Sequence, residues 1–338
     1  MKGQYAALNS FANAKLFSAA ARTCSPFHGF SNRKGALSMI IENPSNYFKN
    51  CFFIFEKSVF LMEDASLPSF EIIRKIHSEN PHFYFIGEIH ASTEDVGGNT
   101  ENSGKNDFCV LMASDEKKAN EAAICNGLFE TPIRQFFFEN DFSKSMLLSR
   151  AKNLSVWGRK MRFCPECAHP LVFDKYENAK ICPKCGEFHG ELNDETKCDF
   201  QTYASPNRKG LYFPRIEPCV IVLVERDGKI LLVRHTYRNQ DIFACVAGFI
   251  EAGENAENAV FREVLEETGV KVKNITYKGS QSWPFPDQLM LAFTAEYDSG
   301  EFCLQRSEIA EASWFSRDAL PPSPKPGSVA YRLINGLF

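Results

Sequence analysis

The chain has 338 residues, of which 44% are hydrophobic and 24% are charged. This length accommodates two or three domains and the apolar content can fill their cores, which excludes a mainly disordered protein. The formal net charge of −4 offers no general attraction for nucleic acid, and no apolar run approaches the about 18–20 residues of a membrane-spanning helix.

The first 41 residues contain no acidic side chain and five basic ones: Lys2, Lys15, Arg22, Arg33 and Lys34. On a helical wheel Tyr5, Leu8, Ala12 and Leu16 share one face, which is typical of a mitochondrial transit peptide. This composition predicts a targeting segment over residues 1–41. A disordered tail on a cytoplasmic protein is the alternative, and the C-terminal residues 335–338 give peroxisomal import little support.

Residues 42–160 alternate strand-like runs with a helical stretch, which predicts an N-terminal α/β domain. Strands are expected at Phe52–Phe55, His82–Ile89 and Phe108–Ala113, a polar loop at Ser92–Asp107 and a helix after Thr131. This half shows no catalytic constellation. Its predicted role is therefore packing or dimerisation.

Residues 161–190 contain two Cys-x-x-Cys pairs separated by fourteen residues. Such turns point four thiolates at one ion, and a closed tetrahedral set of this kind is typical of structural zinc. The predicted ligands of one zinc per subunit are Cys164, Cys167, Cys182 and Cys185. Redox dithiols are the alternative, and His169, His189 and Cys198 are possible substitute ligands. The polar segment 191–211 is predicted to be a linker.

Residues 212–335 predict a second α/β domain that carries the chemistry. Strands are expected at Cys219–Glu225, Lys229–Arg234, Phe243–Ile250, Leu289–Tyr297 and Ala312–Phe315, with a hairpin turn at Asp227-Gly228. The same pattern predicts a helix over Ala256–Thr268. Asn255 is suited to its N-cap and Gly269 to its C-cap.

The predicted helix carries three glutamates on one patch. Val260, Phe261, Val264 and Leu265 are expected to face the core, while Glu263, Glu266 and Glu267 stand at i, i+3 and i+4 on an adjacent face. Hard oxygen ligands at this density suit Mg²⁺ or Mn²⁺. A solvated face with Arg262 compensating the charge is the alternative.

The spacing around this helix matches every fixed position of the Nudix box, GX5EX7REUXEEXGU, from Gly248 to Val270. The chain therefore resembles the Nudix hydrolases. The resemblance implies an α/β/α sandwich and hydrolysis of a diphosphate linked to a nucleoside. It further implies catalytic cation ligands at Glu263, Glu266 and Glu267, of which Glu266 or Glu267 is the candidate base, and a brace between Glu254 and Arg262.

Downstream, Ser280–Leu289 reads SQSWPFPDQL, which resembles the SQPWPFPxS motif of the NADH pyrophosphatase branch except at Ser282 and Gln288. That branch also carries a four-cysteine zinc ribbon, and the likeness extends over about residues 42–335, including a Nudix-like N-terminal domain. It implies an extra acidic cation ligand at Glu308. It also implies substrate contacts at Phe213, Phe249, Gln281, Trp283, Phe285 and Ala330, with one aromatic coming from a partner subunit.

These observations predict a homodimeric zinc protein that uses Mg²⁺ or Mn²⁺ to hydrolyse NADH or NAD to a nicotinamide mononucleotide and AMP. NADP(H), which would give the 2′-phosphate of AMP, is a further candidate substrate. Removal of an NAD cap from RNA by the same chemistry is the first alternative. A non-catalytic adaptor built on the zinc ribbon is the second.

Overall fold

The computed structural model describes residues 50–55, 57–76, 82–89, 106–112, 121, 123–174, 178–185, 210–237 and 241–338. The predicted targeting segment 1–41, residues 191–209 of the predicted linker, and the possible ligands His189 and Cys198 lie outside these ranges. Within them, every helix is too short or too polar to cross a lipid bilayer.

The N-terminal region, defined as the described residues from 50 to 160, contains two small sheets. In the first, β5 (Asn106–Met112) lies between β1 (Asn50–Phe52), which runs parallel to it, and antiparallel β4 (His82–Ile89). The second has the order β2 (Ile54–Phe55), β3 (Ser58–Leu61), β6 (Phe129–Pro132). The expected strands are present, but the one at Phe52–Phe55 is divided at Phe53 between the two sheets.

Helices α1 (Phe70–Ile76), α2 (Ile133–Glu139) and α3 (Phe142–Lys160) accompany these sheets. Helix α3 begins at the N-cap Asp141, whose carboxylate accepts a hydrogen bond of 3.0 Å from the backbone N–H of Lys144. Its apolar face includes Leu148 and Trp157, which join Phe52 and Phe136 in one buried cluster. Burial of this face anchors α2 and α3 to the second sheet.

The cysteine module, residues 161–185 with 210–212, forms a three-stranded sheet of β7 (Val172–Phe173), β8 (Lys180–Ile181) and β9 (Leu211–Tyr212). Strand β9 lies at the C-terminal end of the predicted linker and pairs with β8. The buried Lys180 ammonium donates to the carbonyl oxygens of Gly158 at 2.5 Å and Met161 at 2.8 Å. Because these carbonyls lie at the end of α3, Lys180 joins the module to that helix.

The C-terminal region is built on one six-stranded mixed sheet. Its order is β13-β14-β10-β11-β15, and β12 pairs with the free half of β10. Only the β10 to β14 pairing is parallel. The strands are β10 (Glu217–Arg226), β11 (Lys229–His235), β12 (Val246–Phe249), β13 (Lys271–Trp283), β14 (Gln288–Ser299) and β15 (Ile309–Ser316).

Helices cover both faces of this sheet, so the expected α/β/α sandwich is confirmed. Val220, Val222 and Val224 of β10 pack with α4 (Ala256–Thr268), while Cys219, Ile221 and Leu223 pack with α5 (Val329–Ile334). Alternate side chains of a strand point to opposite faces, and this explains why β10 is apolar along its whole middle section.

Helix α4 has the predicted bounds. The Asn255 side chain accepts a hydrogen bond of 2.8 Å from the N–H of Asn258, and Gly269 ends the helix at a φ of 79°. Val260 and Val264 are fully buried as expected, but Phe261 is 38% exposed, so its placement in the core face was wrong. The buried face of the helix instead includes Ala259 and Thr268.

Strand β13 was missed by the sequence analysis, which placed no element between α4 and Leu289. It runs along the edge of the sheet with most side chains exposed or half-buried, and its register against β14 shifts three times. A strand exposed on both faces lacks the alternation of apolar and polar residues from which strands are predicted.

Candidate active site

The start of the Nudix box is held by a close approach between Gly248 and Glu263. A Cβ atom at position 248 would lie 1.9–2.2 Å from the Glu263 carboxylate atoms. A side chain at position 248 would displace the Glu263 carboxylate, so glycine allows this carboxylate to approach the strand. Strand β12 and helix α4 therefore place the Glu263 carboxylate directly against the strand backbone.

Arg262 connects the loop before α4 to the glutamates of the helix. Its guanidinium donates to both carboxylate oxygens of Glu254 at 2.9 Å and to the carbonyl oxygen of Phe249 at 2.8 Å. It also donates to Glu263 at 2.8 Å and to Glu266 at 3.1 Å. The paired hydrogen bonds lower the pKa of Glu254. Such a two-point contact fixes the loop geometrically as well as by charge.

Glu267 is the most buried acid of the helix, with 2% of its surface exposed. Burial, and then the charges of Glu263 and Glu308, raise the pKa of Glu267 to about 8. Its buried Oε2 atom has no hydrogen-bond partner in the described part of the chain. A carboxylate is costly in such a position unless a cation or a proton accompanies it, so this atom fits a divalent cation.

The other candidate cation ligands are Glu263, Glu266 and Glu308. Burial raises the pKa of Glu263, with Glu266 and Glu308 adding to the shift. The backbone of Glu308 is fixed by the N–H of Thr236, which donates to its carbonyl oxygen at 2.8 Å. The Glu266 side chain is 55% exposed and turns to Arg262. Among the described residues, only the four cysteines form a group of three or more whose ligand atoms all lie within 4.8 Å of one another. The carboxylates of the helix and Glu308 do not form such a group.

The raised pKa of Glu267 predicts that proton release accompanies cation binding. A proton and a cation compete for the same carboxylate, and the protonated form dominates below a pKa of about 8. The apparent affinity for Mg²⁺ should therefore fall as the pH falls, by up to about tenfold per pH unit. Titration calorimetry in two buffers with different ionisation enthalpies measures the released proton. Equal heats in both buffers at pH 7 would contradict this expectation.

The two aromatic residues expected at the substrate both lie at the surface. Phe213 is 52% exposed and Phe249 is 49% exposed. Phe249 ends β12 and its carbonyl oxygen accepts a hydrogen bond from Arg262, so the backbone of Phe249 lies next to the glutamate site. Large exposed rings are available for stacking on a planar ligand.

Gln281 has both ends of its side-chain amide occupied. It is buried, donates to the carbonyl oxygen of Gly327 at 2.8 Å and accepts from the N–H of Val329 at 2.6 Å. Val329 begins helix α5, in which Ala330 is buried. In this structure Gln281 therefore holds the segment Gly327–Val329, which leads directly into Ala330.

Trp283 and Phe285 make ring contacts with the N-terminal region. Both rings are half-buried and meet Phe137 of α2 edge to face, with centroids at 5.3 Å and 5.7 Å. Trp283 also meets Phe138 at 6.0 Å. The SQSWPFPDQ segment thus lies at the junction between the two halves of the chain.

The four cysteines of the module converge as their spacing predicts. Their sulfur atoms lie within 4.8 Å of one another, and the Sγ atoms of Cys167 and Cys182 are 3.6 Å apart. This arrangement is compatible with a zinc site. His169 contributes a backbone carbonyl, which accepts from the N–H of Cys164 at 2.8 Å.

Two residues near these sites were not found by sequence reasoning. The hydroxyl of Tyr212 lies 3.1 Å from Cys164 Sγ, and this hydrogen bond lowers the pKa of Cys164 to about 6. Cys219 is buried on β10; burial raises its pKa to about 12, with further contributions from Glu263 and Glu267. Neither residue belongs to a motif, and only the sheet pairing brings each to its site.

The family model for the NUDIX domain matches residues 215–334. The chain is 40% identical over 209 residues to the NAD-capped RNA hydrolase NudC of Pseudomonas aeruginosa, covering 62% of this chain and 67% of that protein. It is 41% identical over 202 residues to the NudC of Salmonella heidelberg, covering 60% and 69%.

Among solved structures, the chain is similar to a NUDIX hydrolase from Nitrosomonas europaea, with a TM-score of 0.36 and 21% identity over 48% of this chain and 81% of that one. The domain match spans the region that contains Glu263, Glu266 and Glu267. The matches with this chain cover 67% and 69% of the length of the two NudC relatives. The chain therefore belongs to the Nudix hydrolase family, in the branch that holds the NADH pyrophosphatases and the NudC proteins, and is an enzyme that hydrolyses diphosphate bonds.

Proposed function

We propose that this enzyme hydrolyses the diphosphate of NADH or NAD to a nicotinamide mononucleotide and AMP. The observation that carries the proposal is the buried Glu267, whose Oε2 atom has no partner among the described residues, within a Nudix box whose Arg262 also binds the backbone carbonyl of Phe249. The relatives named NAD-capped RNA hydrolase support the NAD moiety as the recognised group.

The residues that would hold the catalytic Mg²⁺ or Mn²⁺ are Glu263, Glu266, Glu267 and Glu308. When bound, these cations neutralise charge on the diphosphate and make a water molecule a stronger acid and a better nucleophile. Arg262 holds the loop and two of the carboxylates, which keeps them oriented before substrate arrives. Glu266 or Glu267 is the candidate to accept the proton of the attacking water.

We assign one structural zinc per subunit to Cys164, Cys167, Cys182 and Cys185. All four ligand positions are taken by thiolates, which leaves no open position for water. The buried Lys180 two residues before Cys182 ties this site to α3. The zinc would therefore stabilise the arrangement of the two halves without entering the reaction.

The nicotinamide or adenine ring would stack between exposed aromatic rings, with Phe249 contributed by one subunit and Phe213 by the other in a homodimer. The exposure of Phe213 (52%) and of Phe249 (49%) supports this arrangement, because a stacking ring must be accessible to the ligand. The loop with Trp283 and Phe285, and the segment with Gln281 and Ala330, would border the same ligand.

Removal of an NAD cap from RNA is the second candidate, and the names of the relatives specifically favour it. It uses the same bond cleavage and adds contacts to the RNA phosphates, for which the net charge of −4 offers no general support. A non-catalytic adaptor has no use for an intact Nudix box and is not favoured by any of these observations. A mitochondrial location remains a proposal based on residues 1–41 alone.

Product analysis decides between these substrates. The full chain is incubated with NADH, NAD, NADPH, ADP-ribose or NAD-capped RNA, each with Mg²⁺, Mn²⁺ or EDTA, and the products are separated by liquid chromatography and mass spectrometry. The proposal expects reduced nicotinamide mononucleotide and AMP from NADH, and no products with EDTA. Intact NADH beside decapped RNA would favour the second candidate, and intact NADH and NAD with every cation would refute the proposed substrate.

A further inference from the structure

The loop between β13 and β14 is held by the N-terminal region. Lys152, in the middle of α3, places its ammonium nitrogen 2.9 Å from Asp287 Oδ1. The same nitrogen donates to the carbonyl oxygen of Pro286. The side chains of Lys152 and Asp287 are only 12% and 20% exposed. The Lys152 ammonium group therefore binds this loop at both a carboxylate and a backbone carbonyl.

Residues of α2 also contact this loop. The Arg134 guanidinium lies over the ring of Phe285 at 4.3 Å from its centroid. Phe137 meets both Trp283 and Phe285 edge to face. These rings and the Lys152–Asp287 pair lie on the same loop, so charge and aromatic packing act on it together.

Helix α3 also holds the segment that precedes β10. The side-chain amide of Asn153 donates to the carbonyl oxygen of Arg215 at 2.9 Å. The backbone N–H of Glu217 donates to the carbonyl oxygen of Asp287 at 3.0 Å. Neighbouring residues of α3 thus fix the loop after Trp283 and the segment after Phe213 in one mutual arrangement.

The low exposure of the Lys152–Asp287 ion pair determines how strongly it can hold the loop in place. An exposed lysine–carboxylate pair contributes only about 0–1 kcal/mol to stability, which is too little to fix the conformation of a loop. A largely desolvated pair is different, because loss of one partner leaves the other charge buried and drives the loop to rearrange. Catalysis in turn is sensitive to displacements of about 1 Å in residues that position substrate.

We propose that Lys152 and Asp287 form a latch through which the N-terminal region positions the Trp283–Asp287 loop for the nicotinamide half of the substrate. Lys152 is a positioning residue and touches no reacting atom. The inference rests on the proposed function, and it gives the N-terminal region a role in selectivity beyond packing.

Kinetics of paired variants test the latch. K152M keeps most of the side-chain length and removes the charge, D287N removes the partner charge, and K152R restores the cation. K160M, at an exposed lysine of the same helix, is the matched control. For NADH we expect kcat/KM to fall about tenfold in K152M and in D287N, mostly through KM, with the double variant no worse than either.

Comparison with ADP-ribose separates positioning from general damage. ADP-ribose lacks the nicotinamide ring, so its hydrolysis should fall clearly less in K152M, and the NADH to ADP-ribose ratio should drop about fivefold. K152R should recover most of that ratio and K160M should leave it unchanged. Equal losses for both substrates, or additive losses in the double variant, would overturn the latch.

A spectroscopic readout makes the test independent of turnover. The chain has three tryptophans, so 5-fluorotryptophan labelling gives three ¹⁹F resonances, and W283F assigns the one from Trp283. K152M and D287N should each shift or broaden that resonance and leave the other two in place. If the wild-type enzyme cleaves no NADH, the proposed function is wrong. The ¹⁹F resonance of Trp283 then still tests whether Lys152 and Asp287 hold the loop. An unmoved Trp283 resonance in both variants would refute it.

Discussion

Replacing Glu267 with Gln should lower the rate of NADH hydrolysis by at least about 10³-fold. The side chain lies 2% exposed beneath the site, with a carboxylate oxygen that has no partner in the described part of the chain. An amide keeps the shape but binds a divalent cation poorly. The loss should therefore appear as weaker cation binding as well as lower kcat.

The fold of the Glu267→Gln variant should survive, and the pKa explains why. Burial and neighbouring acids raise the pKa of Glu267 to about 8, so at pH 7 the metal-free protein holds this side chain in its neutral form. A neutral amide reproduces that state. The melting temperature without cation should therefore match wild type, while the increase on adding Mg²⁺ should be largely lost.

Glu257→Gln is the matched control, because Glu257 lies exposed in the first turn of the same helix. It should keep wild-type turnover and the wild-type response of the melting temperature to Mg²⁺. Glu266→Gln should also abolish turnover, with a smaller effect on cation binding because Glu266 turns towards Arg262. Full activity in both the Glu266 and the Glu267 variants would end the mechanism.

Replacing Cys182 with Ser should cost the protein its zinc and several kcal/mol of stability. Cys182 is fully buried, and its sulfur lies 3.6 Å from that of Cys167. Loss of one thiolate opens the tetrahedral site. The module then loses the cross-link that joins β8 to its first cysteine turn, and Lys180 loses its fixed position at the end of α3.

Zinc content by mass spectrometry and the melting temperature measure this outcome. Wild type should hold about one zinc per chain and C182S far less, in line with a closed four-cysteine site. Cys51→Ser is the matched control, because Cys51 is equally buried but belongs to the N-terminal core; it should lose stability without losing zinc. A C182S protein with full zinc content would overturn the assignment of this cluster.

Local sequence patterns were sufficient for helix α4 and for the convergence of the cysteines. Asn255 and Gly269 end the helix through backbone preferences that act within a few residues. The two Cys-x-x-Cys turns carry their geometry in the same way. The apolar runs of β10 and β11 also predicted their strands, because a buried central strand must be hydrophobic on both faces.

Expectations failed where burial depends on distant elements. Phe261 has the helical phase of a core residue but stays exposed, since α4 packs on the sheet through Val260 and Val264. Strand β13 is held by its hydrogen bonds to β14 and carries no apolar alternation of its own. Neither outcome can be calculated from a window of neighbouring residues.

The sequence by itself determined the family, the candidate cation ligands and the four cysteines, because each is encoded by residue type at fixed short spacing. Tertiary structure alone decided which glutamate is buried, how closely the Glu263 carboxylate approaches Gly248, and how Lys152 meets Asp287. These features depend on desolvation and on contacts between residues far apart in the chain. Such contacts arise only when the sheet, its two helices and the N-terminal region pack together.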